Sequence, residues 1–263
     1  MTNISPFLLT IIFSLIACLI TTLGGAVVLF FKQINQRLMQ FILSFSAGIM
    51  IASSIFSLIL VGIEESKKLG QNTAIICTFG VFFGIFFIIL MEFLVDRQLT
   101  KSKFLSKFVS GKYREPVLSM IAISLHNIPE GLCIGVAFAG AGLSGINNAL
   151  MGSIMLAIGI GIQNFPEGAS VSLPLYNAGF SKSKSFLWAF VSGVVEPIFA
   201  VVGFFWTDII SSFLPFLLTF AAGAMIAVSC VELLPESLCE NKNISTFGLG
   251  IGFCLMMLLD LLF

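Results

Sequence analysis

Two similar polar segments interrupt long apolar stretches of this chain. Residues 126–131 read His-Asn-Ile-Pro-Glu-Gly, and residues 163–168 read Gln-Asn-Phe-Pro-Glu-Gly. A third carboxylate, Glu196, lies in the comparable segment 192–197, which reads Ser-Gly-Val-Val-Glu-Pro. A carboxylate at the centre of a membrane helix costs about 2.5–3.5 kcal/mol on insertion scales. Stability alone would not select three of them, so the pattern predicts a chain built around a buried polar cluster.

The composition is that of a membrane protein. Of the 263 residues, 58% are hydrophobic and only 10% are charged, whereas soluble domains carry about 25% charged residues. The apolar residues form continuous runs instead of lining one helical face, which predicts a chain that crosses a membrane several times. The formal net charge of zero argues against a nucleic acid as partner, because such partners select basic surfaces.

The apolar runs predict an all-α polytopic membrane protein with one transmembrane domain, residues 1–263. About 20 apolar residues suffice for one crossing, and runs without polar alternation favour helices over a barrel. Eight transmembrane helices are predicted, at roughly 6–31, 38–63, 72–95, 117–140, 147–174, 185–207, 212–235 and 244–263.

The basic residues predict the orientation of these helices. Eleven of the 13 lysines and arginines fall in loops on one side of the predicted membrane, and only Lys67 and Lys68 fall on the other. Basic loops stay in the cytoplasm. We therefore expect both termini to be extracytoplasmic and residues 96–116 to form a cytoplasmic loop.

An internal repeat is visible between the second and seventh predicted spans. Residues 45–54 and 220–229 are identical at seven of ten positions. The two copies run in opposite directions in the predicted topology, as do the two Pro-Glu-Gly segments in spans 4 and 5. This pattern predicts an inverted-topology repeat, with spans 1–3 related to spans 6–8 around spans 4 and 5. In such folds the binding site lies near the membrane midplane, where the halves meet.

The polar segments have the spacing of a ligand cluster. Residues three or four apart share a helix face, which places His126, Asn127 and Glu130 together. The same spacing relates Gln163, Asn164 and Glu167. Facing carboxylates would repel one another unless a divalent cation lay between them. Imidazole, carboxylate and amide donors suit Zn²⁺, Fe²⁺, Mn²⁺ and Cd²⁺ better than Cu(I), Ca²⁺ or Mg²⁺.

We expect two ions bridged by Glu130 and Glu167, with Glu196 closing the site. Two further predictions each leave an alternative open. Glu232 and Glu236 form either an exit path on the internal side or a pair of interfacial charges. Met50 is either a soft axial ligand or a core residue.

These motifs together resemble the ZIP family (Zrt-, Irt-like proteins) of divalent metal transporters. Gln163 lies where many members have histidine. With glutamine at this position, the segment that ends at Gly168 resembles the bacterial GufA-like subfamily. The resemblance implies a multi-pass protein of the plasma membrane, the cell inner membrane in bacteria. It implies homodimers, and alternating access by movement of one helix bundle against another. Many members have a histidine-rich internal loop, which this sequence lacks.

The family resemblance also implies zinc transport toward the cytoplasm through a two-metal site formed by spans 4–6. The residues that it places at this site are His126, Asn127, Glu130, Gln163, Asn164, Glu167 and Glu196, with a contribution from Met50.

Two alternatives remain open at the level of sequence. An intramembrane metal-dependent hydrolase would use the same cluster to activate water, but the chain has no H-E-x-x-H motif and no nucleophile–base pair. A metal-selective channel is the other alternative. Because the donors follow a symmetric passage, we predict a transporter and not an enzyme.

Overall fold

The computed structural model describes residues 5–31, 35–101, 113–144, 147–239 and 241–262, and every regular element within these ranges is helical. Eight helices in the described ranges are long and apolar enough to cross a membrane. This confirms the predicted all-α architecture of a polytopic membrane protein.

The eight long helices are numbered α1 to α8 in chain order. They are α1 (Pro6–Phe30), α2 (Gln36–Lys68), α3 (Thr73–Lys101), α4 (Arg114–Ser144), α5 (Asn147–Ala178), α6 (Lys182–Phe205), α7 (Ser211–Ser237) and α8 (Lys242–Leu262). A short helical turn, Thr207–Ile210, lies between α6 and α7.

Helices α3 and α4 extend beyond their predicted spans into the predicted cytoplasmic loop 96–116. Helix α3 continues to Lys101, and α4 begins at Arg114. Residues 102–112 of this loop lie outside the described residues, and its cytoplasmic location stays a prediction.

Local signals explain where several helices begin and end. The side chains of Ser5, Asn35 and Ser181 accept hydrogen bonds from backbone N–H groups in the first turns of α1, α2 and α6, which satisfies donors that a helix start leaves unpaired. Gly70 and Gly179 have φ angles of 64° and 109°. They follow α2 and α5, where a left-handed residue reverses the chain.

Helices α2 and α7 each contain a π-helical segment. These segments are Ser54–Ile59 in α2 and Ser229–Leu233 in α7. Each begins at the last residue of one copy of the repeated segment, 45–54 or 220–229. Single π turns inside α-helices often accompany functional sites. The two halves of the chain therefore depart from regular helix at equivalent positions.

The helices pack in a pattern that the predicted repeat would produce. Helix α1 packs along α5 and α4 along α6, while α2 packs along α8 and α3 along α7. Exchanging α1–α3 for α6–α8, and α4 for α5, maps these pairs onto one another.

Equivalent glycines in the repeated segments support the close helix contacts. A methyl group added at Gly48 of α2 would overlap the carbonyl of Leu249 in α8, and one at Gly223 of α7 would overlap the carbonyl of Val81 in α3. Small residues at such contacts let membrane helices approach closely. The opposite orientation of the halves in a membrane stays a prediction.

Candidate metal centre

Seven of the eight predicted metal-site residues lie on α4, α5 and α6, and all seven are at most 1% exposed: His126, Asn127, Glu130, Gln163, Asn164, Glu167 and Glu196. Buried polar groups destabilise a fold unless they are hydrogen-bonded or bind an ion. The partners of each side chain therefore indicate what the cluster does.

His126, Glu130 and Glu167 form a group of three side chains that could hold a metal ion. One ligand atom from each lies within 4.8 Å of the others. Nε2 of His126 is 3.3 Å from Oε2 of Glu167 and 4.0 Å from Oε1 of Glu130. Two ligands about 2.0–2.1 Å from a tetrahedral zinc ion lie about 3.3 Å apart. The distance from His126 to Glu167 thus matches the spacing that zinc requires, and the distance from His126 to Glu130 is longer.

Gln163 connects this group to helix α2. Its Nε2 donates a hydrogen bond of 2.5 Å to Oε1 of Glu130, and its Oε1 accepts one from the hydroxyl of Ser53. An amide binds a metal through its oxygen, because the nitrogen is only a donor. Coordination by Gln163 would therefore require the amide to turn, and its role as a ligand stays a prediction.

Glu196 lies beside the three-residue group and is held by neutral donors. The amide nitrogen of Asn164 lies 2.8 Å from both carboxylate oxygens of Glu196, and the hydroxyl of Thr21 lies 3.3 Å from Oε1. Asn127 donates in turn to the backbone carbonyl of Ser192 at 3.2 Å. The Glu196 side chain is therefore tied to α1 and α5, while Asn127 ties α4 to α6.

Several buried atoms of the cluster have no hydrogen-bond partner in the described part of the chain. They are both ring nitrogens of His126, Oε2 of Glu130, Oε1 of Glu167, and the amide oxygens of Asn127 and Asn164. Leaving a buried polar atom unpaired costs about 1–3 kcal/mol. In either neutral tautomer of His126, one ring nitrogen is an acceptor. Five of the six atoms are therefore acceptors, and a cation is the partner that their chemistry fits.

Close helix contacts fix the frame around these side chains. A methyl group at Gly131 would overlap the carbonyl of Glu196, and one at Gly168 would overlap the carbonyl of Thr21. Glycine at these two positions brings α4 against α6 and α5 against α1. The glycines of both Pro-Glu-Gly segments therefore set the distances between the helices that carry the ligands.

The three other predicted residues, Met50, Glu232 and Glu236, lie on α2 and α7. Met50 is buried within the hydrophobic core, together with its repeat equivalent Met225. Glu232 and Glu92 line a small crevice between α3, α4 and α7. Glu236 is half-buried near the end of α7. The roles of Met50, Glu232 and Glu236 stay predictions.

Sequence reasoning missed three hydroxyl residues that contact the cluster, namely Thr21, Ser53 and Ser192. Ser53 belongs to the repeated segment and Ser192 opens the quoted segment 192–197, so position in a motif was an available signal for both. Thr21 has no acidic neighbour along α1. Only the packing of α1 against α5 and α6 brings it to Glu196.

Comparison with known proteins decides the family. Residues 117–260 match the family model described as ZIP Zinc transporter. The chain belongs to the ZIP family. The matched region of this ZIP protein contains all seven buried polar residues of the cluster.

Individual relatives extend the match over most of the chain. The protein is 34% identical over 262 residues to zinc transporter ZupT of Chlorobaculum parvum, covering 95% of each chain. It is 37% identical over 155 residues to zinc transporter GufA of Myxococcus xanthus, which is 57% of each chain. It is 41% identical over 149 residues to zinc transporter ZIP11 of Homo sapiens. That alignment spans 56% of this chain but only 43% of the human protein.

Proposed function

We propose that this ZIP protein transports zinc across the plasma membrane toward the cytoplasm, through a site between α4, α5 and α6. The buried group of His126, Glu130 and Glu167 carries the proposal. Its ligand atoms lie within 4.8 Å of one another inside eight apolar helices. The names of the bacterial relatives as zinc transporters support it.

The substrate site holds two ions in this proposal. The first ion binds His126, Glu130 and Glu167. The second lies beside it, with both glutamates as bridging ligands and Glu196 completing the charge. The unpartnered amide oxygens of Asn127 and Asn164 supply further ligands. Gln163 joins the first ion when its amide turns away from Ser53.

Zinc is the proposed main substrate, and Cd²⁺, Fe²⁺ and Mn²⁺ are secondary ones. One imidazole favours the later first-row metals, whereas carboxylate and amide oxygens also accept harder ions. No cysteine belongs to the described ligand group, so the site lacks the thiolate that Cu(I) prefers. Competition of each metal with zinc uptake ranks these substrates.

The direction of transport and the oligomeric state complete the proposal. Inward movement ends at the crevice lined by Glu92 and Glu232 on the predicted cytoplasmic side.

The family resemblance supports a homodimer, which native mass spectrometry of the protein in detergent or nanodiscs tests directly.

The deciding experiment is uptake of radioactive zinc by proteoliposomes that contain the purified protein. We expect saturable uptake by the wild type and none by empty liposomes. Glu65→Gln is the control for an acidic residue outside the cluster, since Glu65 pairs with exposed Lys68. Absence of wild-type uptake would refute zinc transport, and single-channel currents would indicate a channel in place of a carrier.

A further inference from the structure

Thr21 brings α1 into contact with the metal centre. Helix α1 has no acidic or basic side chain, and Thr21 lies near its middle with no exposed surface. Its hydroxyl is 3.2 Å from the carbonyl of Ala17 and 3.3 Å from Oε1 of Glu196. The hydroxyl proton is therefore within reach of one backbone acceptor and one carboxylate of the cluster.

In the predicted repeat, Thr21 is also the equivalent of Glu196. The two residues are 175 positions apart, the same separation as between Phe45 and Phe220, which begin the two copies of the repeated segment. In an inverted repeat, a residue that contacts its own equivalent would lie beside the axis that relates the two halves. At this position the first half of the chain carries a neutral hydroxyl, and the second half carries the carboxylate.

Two glycines hold Thr21 in place. A methyl group at Gly168 of α5 would overlap the carbonyl of Thr21, and one at Gly193 of α6 would lie 3.1 Å from the Thr21 Cβ. Thr21 is thus enclosed between the helix of Glu167 and the helix of Glu196. Because Gly168 contacts its backbone and Gly193 contacts its side chain, Thr21 has little room to move, and its hydroxyl lies within reach of the Glu196 carboxylate.

We propose that Thr21 is a positioning residue for Glu196 in zinc transport, an inference that rests on the proposed function. Its hydroxyl and the amide of Asn164 together fix the orientation of the Glu196 carboxylate. Groups that hydrogen-bond to metal ligands typically change metal affinity or activity by about 10- to 100-fold when they are removed. The Thr21 hydroxyl also reaches the carbonyl of Ala17, so we expect a change near the lower end of this range.

The test compares variants that separate the hydroxyl from the methyl group. Thr21→Val keeps the shape of the side chain and removes the hydroxyl, whereas Thr21→Ser keeps the hydroxyl and removes the methyl. We expect Thr21→Val to raise the zinc concentration for half-maximal uptake about tenfold, and Thr21→Ser to remain close to the wild type. A purely structural role predicts the reverse order, because the serine variant leaves a cavity. That order would overturn the inference.

The adjacent residue gives a matched control. The hydroxyl of Thr22 bonds to the carbonyl of Cys18 at 2.7 Å, within α1, so Thr22→Val should leave uptake unchanged. In a Glu196→Gln background, Thr21→Val should have a clearly smaller effect than in the wild type. An equal effect in both backgrounds would contradict positioning of Glu196.

Two outcomes separate this inference from the proposed function. If the wild type takes up zinc and all Thr21 variants match it, the inference fails alone. If the wild type takes up no zinc, the proposed function fails and the inference with it.

Should Thr21→Val not fold, Thr21→Ser and Thr21→Ala still differ by one hydroxyl. The inference then requires a lower zinc concentration for half-maximal uptake in the serine variant than in the alanine variant. Equal concentrations in the two variants would overturn it.

Discussion

His126 of α4 and Glu167 of α5 meet inside the protein, with Nε2 of the imidazole 3.3 Å from Oε2 of the carboxylate. The two residues come from the two Pro-Glu-Gly segments, which are far apart in sequence. The same carboxylate group lies near Glu130, so one imidazole and two acidic side chains share a buried space. This juxtaposition is the physical basis for the metal site that we propose.

Removing either bridging carboxylate should abolish transport. Glu130→Ala or Glu167→Ala leaves two proposed ions with one fewer negative charge in a buried site, where an uncompensated charge costs about 3–5 kcal/mol. We expect zinc uptake to fall to the level of empty liposomes in each variant at wild-type expression. Substantial uptake by either variant would rule out the two-metal site. The control Glu65→Ala, which changes a residue outside the cluster, should take up zinc as the wild type does.

Gln163→His should change selectivity without destroying function. Imidazole is a stronger ligand than a neutral amide oxygen for the later first-row metals. Zinc should gain on Mn²⁺ when the two metals compete for uptake. The introduced imidazole also lacks the amide oxygen that accepts from Ser53. An unchanged order of preference would mean that Gln163 is not a ligand in the loaded site.

Zinc binding should weaken as external pH falls, and it should release protons. A protonated imidazole or carboxyl group cannot bind a metal, so protons and zinc compete for His126, Glu130 and Glu167. Calorimetry of zinc binding in two buffers with different ionisation enthalpies measures the proton release. Identical apparent enthalpies in both buffers would mean that the ligands hold no protons in the metal-free protein.

The glycine contacts predict a specific loss of stability. Gly168→Ala places a methyl group against the carbonyl of Thr21, whereas Gly152→Ala on the same helix meets no atom within 4 Å. Overpacking of this kind costs about 1–3 kcal/mol, while alanine in an open helical position is favourable. Thermal unfolding in detergent should therefore show a lower midpoint for Gly168→Ala only. Equal midpoints would show that α1 and α5 do not approach as described.

The helices were predictable because the apolar runs specify membrane crossings almost directly. The family could be predicted too, since the His126-to-Gly131 and Gln163-to-Gly168 segments combine uncommon residues at fixed spacing. The C-terminal end of α3 and the N-terminal end of α4 were not predictable. Helix can continue past the apolar core into polar residues such as Arg97 and Lys101, where hydropathy no longer reports structure.

The partners of the site residues required three-dimensional packing. Helical spacing placed Glu130 beside His126, but it carries no information about which neighbouring helix supplies Thr21 or Ser53. The orientation of the Gln163 amide likewise depends on a donor from α2. Such contacts between distant segments follow from helix packing, which local sequence rules do not specify.

Zinc-edge X-ray absorption gives the most direct test of zinc binding at this centre. His126 is the only histidine of the chain, so any imidazole bound to zinc in protein without a polyhistidine tag must be His126. We predict nitrogen and oxygen ligands at about 2.0–2.2 Å, with an imidazole signal that disappears in His126→Phe. Sulfur ligands at about 2.3 Å, or a wild-type spectrum without imidazole, would contradict zinc binding by His126, Glu130 and Glu167.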